Sequence, residues 1–327
     1  MSTPDPEDQE GATTAALRTV LDRVEGTDNP RVVVIVVTWN SSNHIVDCLY
    51  SIFKSSARVA TLVVDNGSSD GSVAAVQGRA DPDVLLVRSA TNLGYAGGNN
   101  LGLSLASTAG AEFAVIVNPD ATMEPNCIRN LVDVIRSDST IGLASPAIHY
   151  AGSDRIWYAG SEVHPVSAAA NHLHEGAPLA SLPASPYETG RASGCVLALA
   201  LGRLNDVGLL DERYFLYYEE AEWSIRVREH GLRIVVVPEA LASHDVGHGS
   251  GSANSTYQYY MTRNRLLLAS QYGAHGAIGA LPAVLRNSIV TLMSLACNQR
   301  DVFFPCALAI AHGYLDFARH RFGQRSY

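Results

Sequence analysis

Val115-Ile116-Val117-Asn118-Pro119-Asp120 is the stretch on which the fold turns. Residues 114–117 are apolar and run into a polar stop that carries one carboxylate. A continuous, partly β-branched run predicts a buried strand. Pro119 has no N–H to offer a sheet, so the strand is expected to end there. Asp120 then stands at the carboxyl end of a strand, where ligands bind in open α/β sheets. A carboxylate fixed there can hold a divalent cation against a diphosphate. The plainer reading of Asp120 is a cap on the helix that follows, and the other strand ends decide between the two.

Upstream, residues 31–37, 61–64 and 84–87 are further strand candidates. Helical patterns separate them, one through Ile45, Leu49 and Ile52 and one reaching Leu105. The order β-α-β-α-β-α-β, with strands apolar on both faces, predicts a mostly parallel sheet covered by helices. Polar residues collect just after each strand: Thr38-Trp39-Asn40, Asp65-Asn66, Asn92-Leu93-Gly94 and Asn118-Pro119-Asp120. In a parallel sheet these positions share one edge, so four distant segments converge on one crevice. Asp65 can accept from a base N–H there, and Asn92 and Asn99 can hold ribose or phosphate. Residues 66–72 read equally well as a turn, and Gly94, Gly97 and Gly98 as close packing at a helix start.

The chain of 327 residues is 47% hydrophobic and 17% charged, which describes a globular protein. A net charge of -9 argues against a nucleic-acid partner, which needs clustered Lys and Arg. It leaves room for nucleoside diphosphates, bound by backbone N–H groups and a metal. Five widely spaced cysteines without a Cys-x-x-Cys fit a reducing cytoplasm better than a disulfide framework. Residues 1–30 are expected as a mobile leader with a short helix at 14–23. No transmembrane helix is expected, because the best candidate, 277–296, is interrupted by Pro282, Arg286 and Asn287.

The ordered motifs Val-Thr-Trp-Asn, Val-Asp-Asn-Gly-Ser-Ser-Asp-Gly-Ser, Asn-Leu-Gly-Tyr-Ala-Gly-Gly-Asn-Asn and Val-Asn-Pro-Asp-Ala resemble the family 2 glycosyltransferases. The likeness is to the rhamnosyltransferase-like branch, and it implies a GT-A fold, α/β with a Rossmann-like sheet, plus a C-terminal helical extension. It implies a GT-A domain over 31–255, with a nucleotide-sugar half (31–122) and an acceptor half (123–255), and a helical region over 256–327. In the family the residue matching Asp65 contacts the base. Asn118-Pro119-Asp120 stands where most members have Asp-x-Asp, so Asp120 keeps the metal role and Asn118 replaces the first carboxylate. Thr38, Asn40, Asp65, Asn92, Gly94, Asn99 and Asn118 are the expected nucleotide-sugar contacts on this side.

In the second half, residues 159–187 are expected as a mobile acceptor-side loop; the alternative is a metal pair at His172 and His174. Gly194 matches a segment that lies beside the donor sugar in the family, and Cys195 reads as a packed core thiol. Glu219, Glu220 and Glu222 open a helix after the aromatic run 214–218. Macrodipole complementation alone favours acids there. Glycosyl transfer also needs a base for the acceptor hydroxyl and positive charge on the departing diphosphate. The family reads Glu-Asp-x-Asp here, with the second acid as the base; Glu220 takes that place, with Glu219 and Glu222 in support. Residues 232–237 predict a strand ending at Pro238. His244 matches a family position that completes the metal site or touches the diphosphate; His248 and Asp245 are weaker candidates. An imidazole with a carboxylate suits Mn2+, and Mg2+ also fits. Arg263 or Arg265 can neutralise diphosphate.

The expected function is thus an inverting, metal-dependent glycosyltransferase, using a dTDP- or UDP-sugar for cell-envelope polysaccharide synthesis. The acceptor would be a glycan, a lipid-linked sugar or a small molecule. A secondary-metabolite pathway with a small soluble acceptor is the first alternative, and a non-catalytic nucleotide-sugar-binding protein the second. A dinucleotide oxidoreductase is disfavoured, since no Gly-x-Gly-x-x-Gly follows the first strand. The apolar stretches at 277–296 and 303–319, with arginines around them, leave three readings open: a lid, a homodimer surface, or a peripheral membrane contact.

Overall fold

The structure, a computed structural model, describes residues 6–25, 30–79, 81–246 and 253–325. Helix α1 (Pro6–Val24) leads to β1 (Val32–Thr38), α2 (Ile45–Phe53), β2 (Ala60–Asp65), α3 (Ser72–Gln77), β3 (Val84–Arg88), α4 (Gly94–Thr108) and β4 (Phe113–Val117). Then come β5 (Ala121–Met123), α5 (Cys127–Ser137), β6 (Ile141–Tyr150), β7 (Ile156–Tyr158), β8 (Ser161–Val163), β9 (Ala170–His172), β10 (Tyr187–Glu188) and β11 (Val196–Ala200). Last are α6 (Glu219–Glu229), β12 (Arg233–His244), α7 (Ser255–Tyr272), α8 (Gly276–Asn298) and α9 (Arg300–Ala318).

The main sheet runs β10-β12-β6-β11-β4-β1-β2-β3. Strands β4, β1, β2 and β3 are parallel, as their unbroken apolar runs predict. Alternate residues feed two separate cores. Val32, Val34 and Val36 pack with α2 and α5 on one face; Val33 and Ile35 pack with α1, α4 and α6 on the other. Register pairs Thr38 with Asp65, so the ends of β1 and β2 lie level. Strand β11 is antiparallel to both β4 and β6 and joins the two halves.

Three expectations need correction. The segment read as a mobile leader holds α1, whose Leu17, Val20, Leu21 and Val24 are buried beside β1, β2 and α4. A leader has no such apolar stripe; these four sit at helical spacing and cover one face of the sheet. Residues 1–5 and 26–29 of that leader lie outside the described residues. The loop expected at 159–187 carries the hairpin β8–β9, whose three-residue strands are too short to leave a period-two signal. The strand expected to stop at Pro238 runs on to His244, with a register shift between Val237 and Leu241 that absorbs the proline.

Helix α8 departs from the break expected at Pro282. It is continuous over 23 residues despite Pro282, and by length and composition it could cross a membrane.

Because Leu21 is wholly buried, Leu21→Ala should lower the unfolding free energy by about 2–4 kcal/mol. Denaturant titration measures this, and an unchanged midpoint would return the segment to a leader.

Candidate functional site

The polar groups that follow β1 and β2 sit close together. Thr38 and Asp65 are register partners, and Asn66 N donates to Thr38 O at 2.8 Å. Ser68 N donates to Asp65 Oδ1 at 3.2 Å, while Asp65 Oδ2 lies 3.6 Å from Arg88 Nε. Thr38 Oγ1, Asp65 Oδ2 and Asn99 Oδ1 are all buried and without a hydrogen-bond partner. Leaving such acceptors unsatisfied costs roughly 1–3 kcal/mol each, and two of them, on Thr38 and Asp65, sit level at one sheet edge, which suits a ligand there. Asn40 and Asn92 are used internally. Asn40 Oδ1 accepts from Ser69 N at 2.9 Å, and Asn92 Oδ1 from Gly94 N at 2.8 Å. They shape the turns that frame the crevice.

Gly94 has φ +74°, and a Cβ there would fall 2.3 Å from Phe215 O. The glycine thus lets the start of α4 meet the segment before α6. That segment is strained: Phe215, Tyr217 and Tyr218 all have φ between 65° and 75°. Such conformations cost roughly 1–3 kcal/mol each and persist only when neighbours hold them. Asn264 does the holding. Its Nδ2 lies 2.9 Å from Tyr214 O, 2.9 Å from Leu216 O and 2.7 Å from Tyr217 O. Arg263 Nη2 donates to Arg213 O and Tyr214 O at 3.0 Å, and Nη1 to Gly323 O at 2.7 Å. Arg263 is therefore fully buried, with its N–H groups committed to backbone carbonyls, Asn264 Oδ1 and the Tyr259 hydroxyl. This corrects its expected role: it braces the loop and has nothing left for a diphosphate. Arg265 is likewise buried and donates to Ser167 O. Sequence reasoning missed the brace, although the adjacent Arg263-Asn264 behind a Tyr-rich run was visible.

The three acids of α6 are sorted by their partners. Glu222 binds Arg226 Nε at 2.7 Å and the Tyr272 hydroxyl at 2.7 Å, so it serves the helix and not a ligand. Glu219 is buried with Oε2 unpartnered; burial, then the Glu220 charge, holds its carboxyl well above the usual range. Glu220 is half-buried and pairs with Arg191. Arg191 in turn donates from Nε to Ser161 Oγ at 2.9 Å, tying the β8–β9 hairpin to the carboxylate. Nothing in one sequence shows that Arg191 meets an acid 29 residues on.

Asp120 and His244 meet because the extended β12 pairs with β5, placing His244 opposite Ala121. His244 Nε2 is 3.3 Å from Asp120 Oδ1, and the imidazole lies edge-on to Trp157 at 4.3 Å. Asp120 Oδ1 and His244 Nδ1 are buried without hydrogen bonds. Asp245 faces His44 at 3.8 Å, and His248 lies outside the described residues. Two donors each about 2.1 Å from one ion can stand this far apart, so the pair fits a divalent cation. Among the described residues no three His, Cys, Asp or Glu cluster at a metal. Two protein donors with substrate oxygens completing the shell is the arrangement usual for Mg2+ beside phosphate.

The two walls are connected. Asn118 N donates to Cys195 O at 2.8 Å, which binds the β4 end to β11. One residue earlier, a Cβ on Gly194 would lie 3.5 Å from Glu220 Cγ and 3.2 Å from the Tyr95 hydroxyl. That hydroxyl donates to Gly194 O at 2.6 Å. Burial, then the charges of Tyr257, Glu219 and Asp120, pushes the Tyr217 hydroxyl up, so both walls act on one side chain. Cys195 is buried and its thiol is pushed well up, first by burial and then by Asp120, which leaves it an inert core residue.

Two measurements check this account. Asn264→Ala should cost about 2–4 kcal/mol of stability in denaturant titration; a loss under ~0.5 kcal/mol would mean the strained loop holds itself. For Glu219, the folded state keeps a proton that the unfolded chain releases above its ordinary value of 4.5. Its contribution to stability is therefore full below that value and falls as pH rises towards the raised folded value. Glu219→Gln removes the fall. The melting temperature of the variant minus that of the parent should grow from ~pH 5 to ~pH 8, and a flat difference would contradict the buried, protonated state.

Comparison with known proteins agrees with this architecture. A model of the family described as "Glycosyl transferase family 2" matches residues 33–188. The span includes Asp65, Asn99 and Asp120 and stops short of Glu220 and His244. The chain is 28% identical over 245 residues to the N-acetylglucosaminyl-diphospho-decaprenol L-rhamnosyltransferase of Mycobacterium tuberculosis, covering 67% of this chain and 77% of that one. It is equally 28% identical to the low-salt glycan biosynthesis hexosyltransferase Agl10 of Haloferax volcanii, covering 72% and 75%. Among solved structures, the mannosyltransferase PcManGT of Pyrobaculum calidifontis, in complex with GDP-Man and Mn2+, superposes with a TM-score of 0.58 at 18% identity, over 96% of this chain and 99% of that one. GalNAc-T7 with UDP, GalNAc and Mn2+ gives 0.57 at 16%, over 82% of this chain and 60% of that chain's length. At those identities the structural likeness speaks for the GT-A-like fold alone. Taken with the sequence relatives, it supports a family 2 glycosyltransferase domain over residues 33–188 in a chain similar to rhamnosyltransferases.

Proposed function

We propose that the protein transfers a hexose, rhamnose or another deoxy or amino sugar, from a dTDP- or UDP-activated donor to an acceptor hydroxyl, with inversion. The observation that carries this reading is the juncture at β11, where Asn118–Cys195 and Gly194–Glu220 bring the Asp120 wall and the Glu220 wall to adjacent residues. Glu220 is the base. It alone of the three acids is both accessible and free of the helix's own bonding. The ion pair with Arg191 fixes where its carboxylate points. The acceptor O–H gives its proton to Glu220 as its oxygen bonds to the anomeric carbon, and the bond from that carbon to the diphosphate oxygen breaks on the opposite side.

Asp120 and His244 would hold Mn2+ or Mg2+, as manganese in two fold relatives supports. A cation bound there supplies positive charge against the leaving diphosphate. Thr38, Asp65 and Asn99 offer unsatisfied acceptors for the nucleotide. Asn118 and Gly194 line the sugar's place between them. Asn40, Asn92 and Gly94 act by shaping the turns around it. The acceptor is a polyprenyl-linked sugar of the cell envelope, a reading supported by the name of the mycobacterial relative. We place the enzyme on the cytoplasmic side, which suits five free thiols.

Glu220→Gln should retain donor binding and lose transfer by roughly 10²–10⁴-fold. Asp120→Ala should lose Mn2+-dependent donor binding in calorimetry. Turnover of Glu220→Gln within ~10-fold of the parent would remove Glu220 from the role.

A further inference from the structure

Helices α8 and α9 expose an apolar surface that the transfer reaction does not explain. On α8, Ile278, Leu285, Ile289 and Met293 recur on one side of the helix and are 86%, 43%, 57% and 65% exposed. On α9, Phe304 and Leu308, one turn apart, are 78% and 57% exposed. Ser288 Oγ meets the Tyr314 hydroxyl at 3.0 Å across the turn at Gln299, so α9 folds back along α8 and the two stripes lie on neighbouring helices. Water would not favour such a concentration of large apolar side chains without a partner.

Charge identifies the partner. Residues 273–327 carry five arginines (286, 300, 319, 321, 325) against two aspartates, a net +3. The whole chain carries -9, so the remainder carries -12. Helix α8 itself contains one arginine and no acid. Pairing this face with its copy would set like charge on like, and most of a second copy's body is acidic. An anionic lipid surface offers both apolar depth and complementary charge.

We infer that α8 and α9 seat the protein on the surface of an anionic membrane, lying in its interface. Packing opposes a spanning pose. Ala280 and Val284 of α8 are buried against α7 in the same cluster as Tyr214 and Tyr218, and withdrawing the helix would open that cluster. The surface is thus part of the body that holds the loop before α6. The inference stands apart from the donor and acceptor assignments above.

The full chain should co-sediment with phosphatidylcholine vesicles containing phosphatidylglycerol, and bind several-fold less to phosphatidylcholine alone. Ile289→Glu with Met293→Glu should weaken binding roughly 10-fold or more at an unchanged melting temperature, since both positions are exposed. Arg286→Ala with Arg300→Ala should lose the preference for anionic lipid. In the unmodified protein, α8 amides should gain hydrogen-exchange protection when vesicles are added, a readout that needs no variant. Absence of sedimentation, indifference to the apolar substitutions, or a solution dimer that Ile289→Glu splits would each overturn the inference, the last by showing that a second copy covers the face.

Discussion

Asn264 and Arg263 hold five backbone carbonyl contacts on residues 213–217, a segment that enters α6 through three left-handed aromatic residues. Without that brace the backbone has no reason to remain strained. With it, Phe215 O is fixed where Tyr95 N can donate to it at 2.7 Å, and α4, α6 and α7 are locked to one another. The direction in which α6 starts, and so the direction of Glu219 and Glu220, follows from this constraint. A buried cation over the rings of Tyr259 and Tyr260 adds rigidity at the same point.

The remaining geometry is supplied by two devices that bring distant segments to the end of β4. The first is the irregularity after Pro238, which lets β12 continue until His244 faces Asp120. The second is β11, inserted antiparallel beside β4, whose approach segment carries Arg191 and Gly194 past Glu220. Each is a backbone solution to a side-chain problem: an imidazole and a carboxylate must meet, and an arginine must reach an acid from the opposite wall. The hairpin β8–β9 ties itself to the second device through Ser161, so a segment on the acceptor side is mechanically linked to the proposed base.

The first half of the chain was readable because a parallel sheet writes its signal locally. Runs such as 32–37 and 113–117 are buried on both faces, and each polar stop falls at the same edge. Asp120 was singled out by that rule. What stayed hidden depends on contacts between residues far apart in sequence. Arg263 looked like a phosphate ligand because its side-chain chemistry allows it, whereas its burial under Gly323 and Tyr214 is a tertiary fact. The three glutamates of α6 look alike in sequence; Arg226, Arg191 and the burial of Glu219 distinguish them. A helix was expected at 14–23, but its length and its docking on the sheet were missed because its polar composition outweighed the four-residue stripe that packs there.

The central claim is that Asp120, His244 and Glu220 face one donor. A crystal structure of the protein with Mn2+ and UDP or dTDP tests it most directly. The account predicts an anomalous manganese peak bound by Asp120 and His244, with the diphosphate beside it and the open space beyond the terminal phosphate bounded by Gly194 and Glu220. A peak bound elsewhere, or a nucleotide whose diphosphate points away from Glu220, would contradict it.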